Sequence, residues 1–204
     1  MRKRRITLTK PNLSIVIPTY NERENISEII EKLRKTLRQI KYEIVFVDDN
    51  SPDDTSTEVR LFMKKSPNIR LIHRIGRRGL SGAVIEGIFA ANASLVGVMD
   101  CDLQHDESKL LEMLALFKKN NSLDLIIGSR FTENGRISKG AFSKIRELGS
   151  KIVTFAIKKL LNINSSDPLS GFFMVKKDSF LSHSKNLQTQ GFKVLADFLA
   201  ISGK

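Results

Sequence analysis

The chain has one cysteine, Cys101, no tryptophan, and two tyrosines, Tyr20 and Tyr42, among 204 residues. A single thiol forms no intrachain disulfide, which excludes a cross-linked secreted scaffold and is compatible with a reducing compartment. Twelve phenylalanines supply most of the aromatic surface, and no base-stacking motif accompanies the basic charge, so a nucleic-acid-binding domain is not expected. Long apolar runs are missing too. A spanning helix needs about 20 apolar residues. The longest uncharged apolar-rich run, residues 87–99, is shorter and contains Asn92 and Ser94. The first five residues are basic like a signal-peptide n-region, but Thr7, Thr9, Lys10 and Asn12 interrupt any apolar segment after them. The sequence is therefore expected not to be integral in a membrane, with peripheral attachment open. Acid is the scarcer charge: 22 Asp and Glu against 34 Lys and Arg, a net +12. This balance favours anionic partners such as phosphorylated substrates or an anionic membrane surface, although a solubilising surface has the same composition.

The few acids cluster at informative places. Asp100 and Asp102 follow the apolar run 95–99. Residues two apart on a strand share a face, so the strand's end delivers both carboxylates to one place. Like charges that close need a cation, and hard oxygens suit Mg²⁺ or Mn²⁺ bridging to substrate phosphates. A solvated acidic turn is the alternative reading. Along the chain, strands are expected over 13–17 (stopped by Pro18), 43–47, 69–72, 95–99, 124–128 and 171–175. Helices are expected from a cap at Asn21 to residue 40, and over 53–65, 79–93, 108–120, 142–161 and 192–201. Residues 132–139 read as a loop and 162–168 as a turn. This alternation predicts a largely parallel α/β sheet covered on both faces, with ligands beyond the strand C-termini. The expected organisation is a basic tail over 1–12 and one domain over 13–204.

Four junctions carry chemistry. After the first strand, Tyr20 offers a flat face for a base and Glu22 an acceptor. After the second come Asp48 and Asp49, suited to a ribose hydroxyl or base N–H, while Asp53 and Asp54 suit a helix N-terminus. Asp100, Asp102, Gln104 and His105 follow the fourth. Arg130, in Gly128-Ser129-Arg130-Phe131, follows the fifth and suits a bidentate grip on a phosphate, although an isolated Arg is more often a surface charge.

In this order and spacing the motifs resemble the family-two inverting glycosyltransferases of the GT-A fold, a three-layer α/β/α architecture. Within that family they are most similar to the dolichol-phosphate (polyprenyl-phosphate) mannose synthases. The motifs that carry the resemblance are Val-Ile-Pro-Thr-Tyr-Asn-Glu-Arg-Glu-Asn over 16–25, Val-Asp-Asp-Asn-Ser-Pro-Asp over 47–53, Asp-Cys-Asp-Leu-Gln-His over 100–105, Gly-Ser-Arg-Phe over 128–131, and Ser-Asp-Pro-Leu-Ser-Gly-Phe-Phe over 166–173. The resemblance implies that Pro18, Tyr20, Glu22, Val47 and Asp49 surround the guanosine of GDP-mannose. It implies that Asp100, Asp102 and Gln104 hold Mg²⁺ or Mn²⁺, with Met99 and Cys101 lining that site through backbone. Arg130 is then a phosphate contact, Arg146 and Ser150 face the lipid phosphate, and Asp167 and Ser170 lie beside the sugar. Asp100, Asp102 and Arg130 form the implied catalytic set. The implied activity is mannosyl transfer to a dolichyl or polyprenyl phosphate at the cytoplasmic membrane face, peripherally bound, with place for a membrane-anchoring partner protein. A UDP-sugar donor with a polyprenyl-phosphate or polysaccharide acceptor, and a weakly active sugar-nucleotide-binding protein, are the alternatives.

A lipid phosphate is already anionic near neutral pH and needs no general base, unlike a sugar hydroxyl. Asp197 is the only carboxylate near where hydroxyl-acceptor relatives place one. The basic, apolar-striped segment 142–161 suits a headgroup region as well as it suits a sheet. Some residues depart from the family pattern. Asp54 stands where relatives usually have Gly, and Asp tolerates left-handed geometry. Asp106 and Glu107 replace a proline-containing turn, and Ser81 and Gly82 vary a Gly-Leu-Gly-Thr-Ala pattern. Relatives also continue past residue 204 into a segment with an Arg and a Lys that close over the diphosphate, which implies a truncated C-terminal segment here.

Overall fold

The computed structural model describes residues 10–129, 167–189 and 193–202. Its strands are β1 (Leu13–Thr19), β2 (Tyr42–Asp48), β3 (Ile69–His73), β4 (Leu95–Val98), β5 (Leu125–Ile127) and β6 (Phe173–Lys176). The helices are α1 (Arg23–Thr36), α2 (Thr55–Lys65), α3 (Leu80–Ala90), α4 (Lys109–Lys119), α5 (Lys177–His183) and α6 (Val194–Ser202), with a 3₁₀ turn at Ser184–Asn186.

The strands form one sheet in the order β3-β2-β1-β4-β6-β5. β3, β2, β1 and β4 run parallel, while β6 is antiparallel to both β4 and β5. Chain order reverses between β1 and β4, because β2 and β3 lie on one side of β1 and β4 on the other. In open α/β sheets this switch point is where ligands bind.

Alternation along β1 divides the core into two layers. Leu13, Ile15 and Ile17 join Ile26, Ile29, Ile30 and Leu33 of α1, Val59 of α2, and Leu110, Met113 and Phe117 of α4. Val16 turns the other way, to Ala83, Val84 and Ile88 of α3, Phe180 of α5, and Val194 and Phe198 of α6. The sheet is therefore sandwiched between helical layers, as the alternation predicts. Small residues let α3 lie close to it: a Cβ on Gly87 would stand 2.3 Å from Val16 Cγ1.

Three expectations need correction. Pro18 does not stop β1, which continues to Thr19. Val16 O accepts from Met99 N–H and Thr19 O from Asp49 N–H, so even positions face β4 and odd ones β2. The missing N–H of Pro18 thus faces β4's side, past the last β1–β4 pair at Val16 and Val98. Asn21 is not the cap of α1. It is left-handed (φ 59°), and the helix begins after Glu22 and ends at Thr36 rather than residue 40. α5 follows β6 directly and was not expected, its seven residues being too few to show a period. The expected helix over 142–161 and the loop over 132–139 lie outside the described residues.

Candidate active site

The turns after β1, β2 and β4 meet at the C-terminal edge of the sheet. Asn21 in the first, Asn50 and Asp54 in the second and Leu103 in the third have positive φ of 57–66°. These are the non-glycine residues with positive φ among the described residues, and such strain gathers where surrounding structure fixes a site. Asp54 adopts a left-handed conformation (φ 66°), which Asp tolerates better than most residues. The first two turns are bonded together. Asp48, fully buried, accepts from Ser51 Oγ at 2.5 Å and Ser51 N–H at 3.2 Å. Ser51 Oγ in turn accepts the Asn21 N–H at 2.9 Å. Asp53 accepts from Thr55 N–H at 3.0 Å and from Arg23 N–H at 3.1 Å. One carboxylate thereby serves the N-termini of both α1 and α2, consistent with the helix-terminus reading of that residue.

These turns carry Tyr20 and Glu22, and Glu22 lies within electrostatic reach of Asp100 and Asp102 after β4. Tyr20 is 45% exposed, unusual for a ring at the end of a buried strand. Pro18 and Val47 are buried, so what they offer a ligand is backbone. Glu22 is half-buried and accepts from Asn25 Nδ2 at 2.6 Å. Burial pushes its carboxyl pKa up, the Asn25 bond opposes this, and the nearby charges of Asp102, Asp100 and Asp53 push it further up. Met99 and Cys101 point into the core. Burial, and then the charges of Glu22, Asp102 and Asp100, push the Cys101 thiol far above its ordinary range, which disfavours the reactive thiolate.

Asp100 is held from two sides. His105 Nε2 lies 3.2 Å from its Oδ2, and the His105 ring stacks on Phe172 at 5.1 Å. Gly171 borders the same oxygen: a Cβ there would stand 2.1 Å from it, so a larger residue would displace the carboxylate from this orientation. Asp102 is exposed, and its Oδ1 accepts the Gln104 N–H at 3.1 Å. Among the described residues no three His, Cys, Asp or Glu side chains form a ready cage. The donor set is a carboxylate pair with a third acid in electrostatic reach. That set fits Mg²⁺ or Mn²⁺, which is commonly shared between one or two carboxylates and substrate phosphates.

Asp49 has a different environment from the one expected. It is buried, its Oδ1 is ion-paired with Arg74, and its Oδ2 accepts the Gly79 N–H at 2.7 Å. Arg74 is 3% exposed and also reaches Glu86 at 3.2 Å and Gly79 O at 3.1 Å. Ser170 is likewise committed to structure. Its hydroxyl donates to Gly128 O at 2.7 Å and accepts from Phe172 N–H at 3.1 Å, which ties the β6 approach to the end of β5. Asp167 is fully buried. A cavity of about 80 Å³ opens beside Asp100, lined by Leu80, Val84, Ser170, Lys193 and Leu195 among others. A larger one of about 430 Å³, between Lys10, Ser94, Leu114 and Lys118, lies at the opposite edge of the sheet, away from the carboxylates. Asp197 sits in α6, its pKa raised by burial against the pull of Lys193. Arg130, Arg146 and Ser150 lie outside the described residues.

Sequence reading passed over Arg74, Arg78 and His105. His105 stood in a quoted motif without a role. The ion pair of Arg74 spans 25 residues and leaves no local signal. Arg78 sits in a basic run that reads as surface, yet its guanidinium stands 5.1 Å over the Tyr20 ring.

The family description "Glycosyl transferase family 2" matches residues 14–183. A dolichol-phosphate mannosyltransferase of Pyrococcus furiosus is 38% identical over 194 residues, 94% of this chain and 53% of that protein. The dolichol-phosphate mannosyltransferase of Saccharomyces cerevisiae is 32% identical over 92% of this chain and 69% of its own length. The chain thus spans about half the length of the archaeal relative. Among solved structures, glucosyl-3-phosphoglycerate synthase from Mycobacterium tuberculosis, in complex with Mn²⁺, UDP-glucose and phosphoglyceric acid, superposes with a TM-score of 0.64 at 18% identity, covering 93% of this chain and 64% of that one. A mannosyltransferase from Pyrobaculum calidifontis in complex with GDP-Man and Mn²⁺ gives 0.61 at 17% identity, covering 92% and 50%. At such identity these structures establish the fold, which is GT-A-like.

Proposed function

The chain belongs to glycosyl transferase family 2, and from that premise we propose that it transfers mannose from GDP-mannose to a dolichyl or polyprenyl phosphate, with inversion, yielding polyprenyl-phosphate mannose. The observation that carries the reading is the meeting of Glu22, Asp100 and Asp102 at the switch point, beside an exposed tyrosine ring. The relatives named for this activity at 38% and 32% identity support the choice of sugar and acceptor.

In this reading Tyr20 stacks on the base, and Glu22 accepts from base or ribose. Asp100 and Asp102, with Gln104, hold Mg²⁺ or Mn²⁺. When bound, that ion supplies positive charge against the diphosphate leaving group. His105 and Gly171 keep the Asp100 carboxylate in one orientation, which limits reorganisation as the sugar departs. Arg130 adds charge toward phosphate, and Arg146 with Ser150 receives the lipid phosphate. The acceptor phosphate is already ionised, so the site needs no base. Asp197, with its raised pKa, is free for a positioning or structural role. The site then works at the cytoplasmic membrane face, where the lipid phosphate is presented.

The test is a transfer assay with labelled GDP-mannose, UDP-glucose and UDP-N-acetylglucosamine, a polyprenyl phosphate, and Mg²⁺ or Mn²⁺. GDP-mannose is expected to be the preferred donor, with no product in chelator. Faster transfer from UDP-glucose would reassign the donor. In the same assay Asp102→Asn is expected to abolish transfer and metal-dependent donor binding while leaving the fold intact. Normal turnover by that variant would remove Asp102 from the metal site.

A further inference from the structure

The geometry points to Arg78 as a base-stacking residue that selects the donor nucleotide: its guanidinium is the outer wall of a slot whose inner wall is the Tyr20 ring, and the base inserts between them. This inference rests on the donor-site reading above and adds a residue to it.

Arg78 Cζ stands 5.1 Å from the Tyr20 ring centroid. The ring lies at the switch point, is 45% exposed, and belongs to neither core layer. The neighbouring Arg77 is paired with Glu86 at 2.9 Å. No carboxylate pairs with Arg78 among the described residues, and its recorded contact is the ring. A guanidinium plane stacks on aromatic faces, so it suits the far side of a base as well as it suits Tyr20.

Arg78 does not hang on a loose loop. Asp49 binds the segment at both ends, through the buried Arg74 and through the Gly79 N–H, and Arg74 adds a bond to Gly79 O. Between these anchors Gly76 (φ 72°) and Gly79 (φ 127°) flank the two arginines, and the space a Gly76 Cβ would take is open. A fixed root with glycine at either end of the tip lets Arg78 lift enough to admit a base and settle on it. Such a clamp favours the larger face of a purine over a pyrimidine.

Tyr20 and Tyr42 are the chain's tyrosines and there is no tryptophan, so a Tyr42→Phe background leaves Tyr20 as the emitter. In it, GDP, GMP and UDP are titrated with Mg²⁺ present. Tyr20 emission is corrected for nucleotide absorbance, and affinity is measured by calorimetry. Nucleotide is expected to quench Tyr20. Arg78→Ala should weaken GDP about fivefold, weaken GMP by the same factor, and weaken UDP less. Arg78→Lys, which keeps the charge without the plane, should recover only part of the loss. Full recovery by Lys, or an effect that vanishes with GMP, would make Arg78 a phosphate contact and overturn the inference. So would an Arg78→Ala protein, folded by circular dichroism, that binds GDP as tightly as the parent or more tightly. If the parent binds no nucleotide at all, the donor-site reading falls and takes this one with it; equal binding by parent and variant removes only Arg78.

Discussion

Asp100 shows how one carboxylate is aimed by its neighbours. A Cβ on Gly171 would stand 2.1 Å from its Oδ2, and the obstructing atom is the tip of a partly exposed side chain that can rotate away. Gly171→Ala should therefore leave the folded state nearly as stable as before, while metal-dependent donor binding falls by about tenfold or more, as when supports of metal ligands are removed. Calorimetry with and without Mn²⁺, beside a thermal melt, separates the two effects. Unchanged metal dependence would mean that Asp100 does not hold the ion in the orientation described. Glu43 is aimed as tightly, at the other end of the sheet and for stability alone. It is 5% exposed and accepts from Ser14 Oγ (2.6 Å), Asn92 N–H (2.6 Å), Asn92 Nδ2 (2.8 Å) and Arg70 Nη1 (3.0 Å). Burial pushes its carboxyl up, but these bonds together outweigh burial and hold the pKa below the ordinary value. A depressed carboxylate contributes stability above its unfolded pKa, and that stability is lost as pH falls through the folded value. Glu43→Ala should cost about 3 kcal/mol at neutral pH and lose less on acidification below the ordinary carboxylate range. Parallel acid-unfolding curves for parent and variant would contradict this account.

Between elements, the closest approach is that of α3 to the sheet. A Cβ on Gly87 would meet Val16 Cγ1 at 2.3 Å and Val47 Cγ2 at 3.0 Å, and both valines are fully buried and stiff at χ1. Gly87→Ala gains about 1 kcal/mol of helix propensity against an overpacking cost of about 1–3 kcal/mol. A modest net destabilisation by denaturant is expected, and a stabilised variant would show that the layer can yield. The small residues of this helix were visible in the sequence, as were the short apolar β-rich runs of the strands, the period-3.6 faces of α1 and α4, and the carboxylates after β4. These signals are local, and local patterns survive translation into structure. What was hidden depends on the third dimension. Pro18 reads as a strand stop until its N-side is seen to face past the end of β4. The partners of Asp49, Arg74 25 residues on and the Gly79 N–H, leave no local mark in the sequence. β6 reads like the other strands, because antiparallel direction leaves no mark on a short buried run. α5 is too short to show a period.

Taken whole, the molecule carries a net charge of +12, and the substrates proposed for it are phosphates, one of them anchored in lipid. Among the described residues no helix is long and apolar enough to cross a membrane, and the net charge is what the proposed encounter with a lipid phosphate draws on. Each basic residue near an anionic surface contributes about 1 kcal/mol, and the attraction decays within a Debye length, about 10 Å at 0.1 M salt and about 3 Å at 1 M. The protein should therefore co-sediment with vesicles containing anionic lipid at low salt, leave them as salt rises, and ignore vesicles of neutral lipid. The basic, apolar-striped segment 142–161 lies outside the described residues, and its sequence makes it the first place to look for the contact. Replacing Lys151, Lys158 and Lys159 with Glu lowers the net charge by six, since each change exchanges +1 for −1. That variant should sediment less while binding GDP as before, because the residues proposed to hold the donor lie outside the three replaced positions. Salt-insensitive sedimentation would replace electrostatic attachment with apolar insertion. Equal sedimentation of parent and variant would move the contact to another face of the molecule.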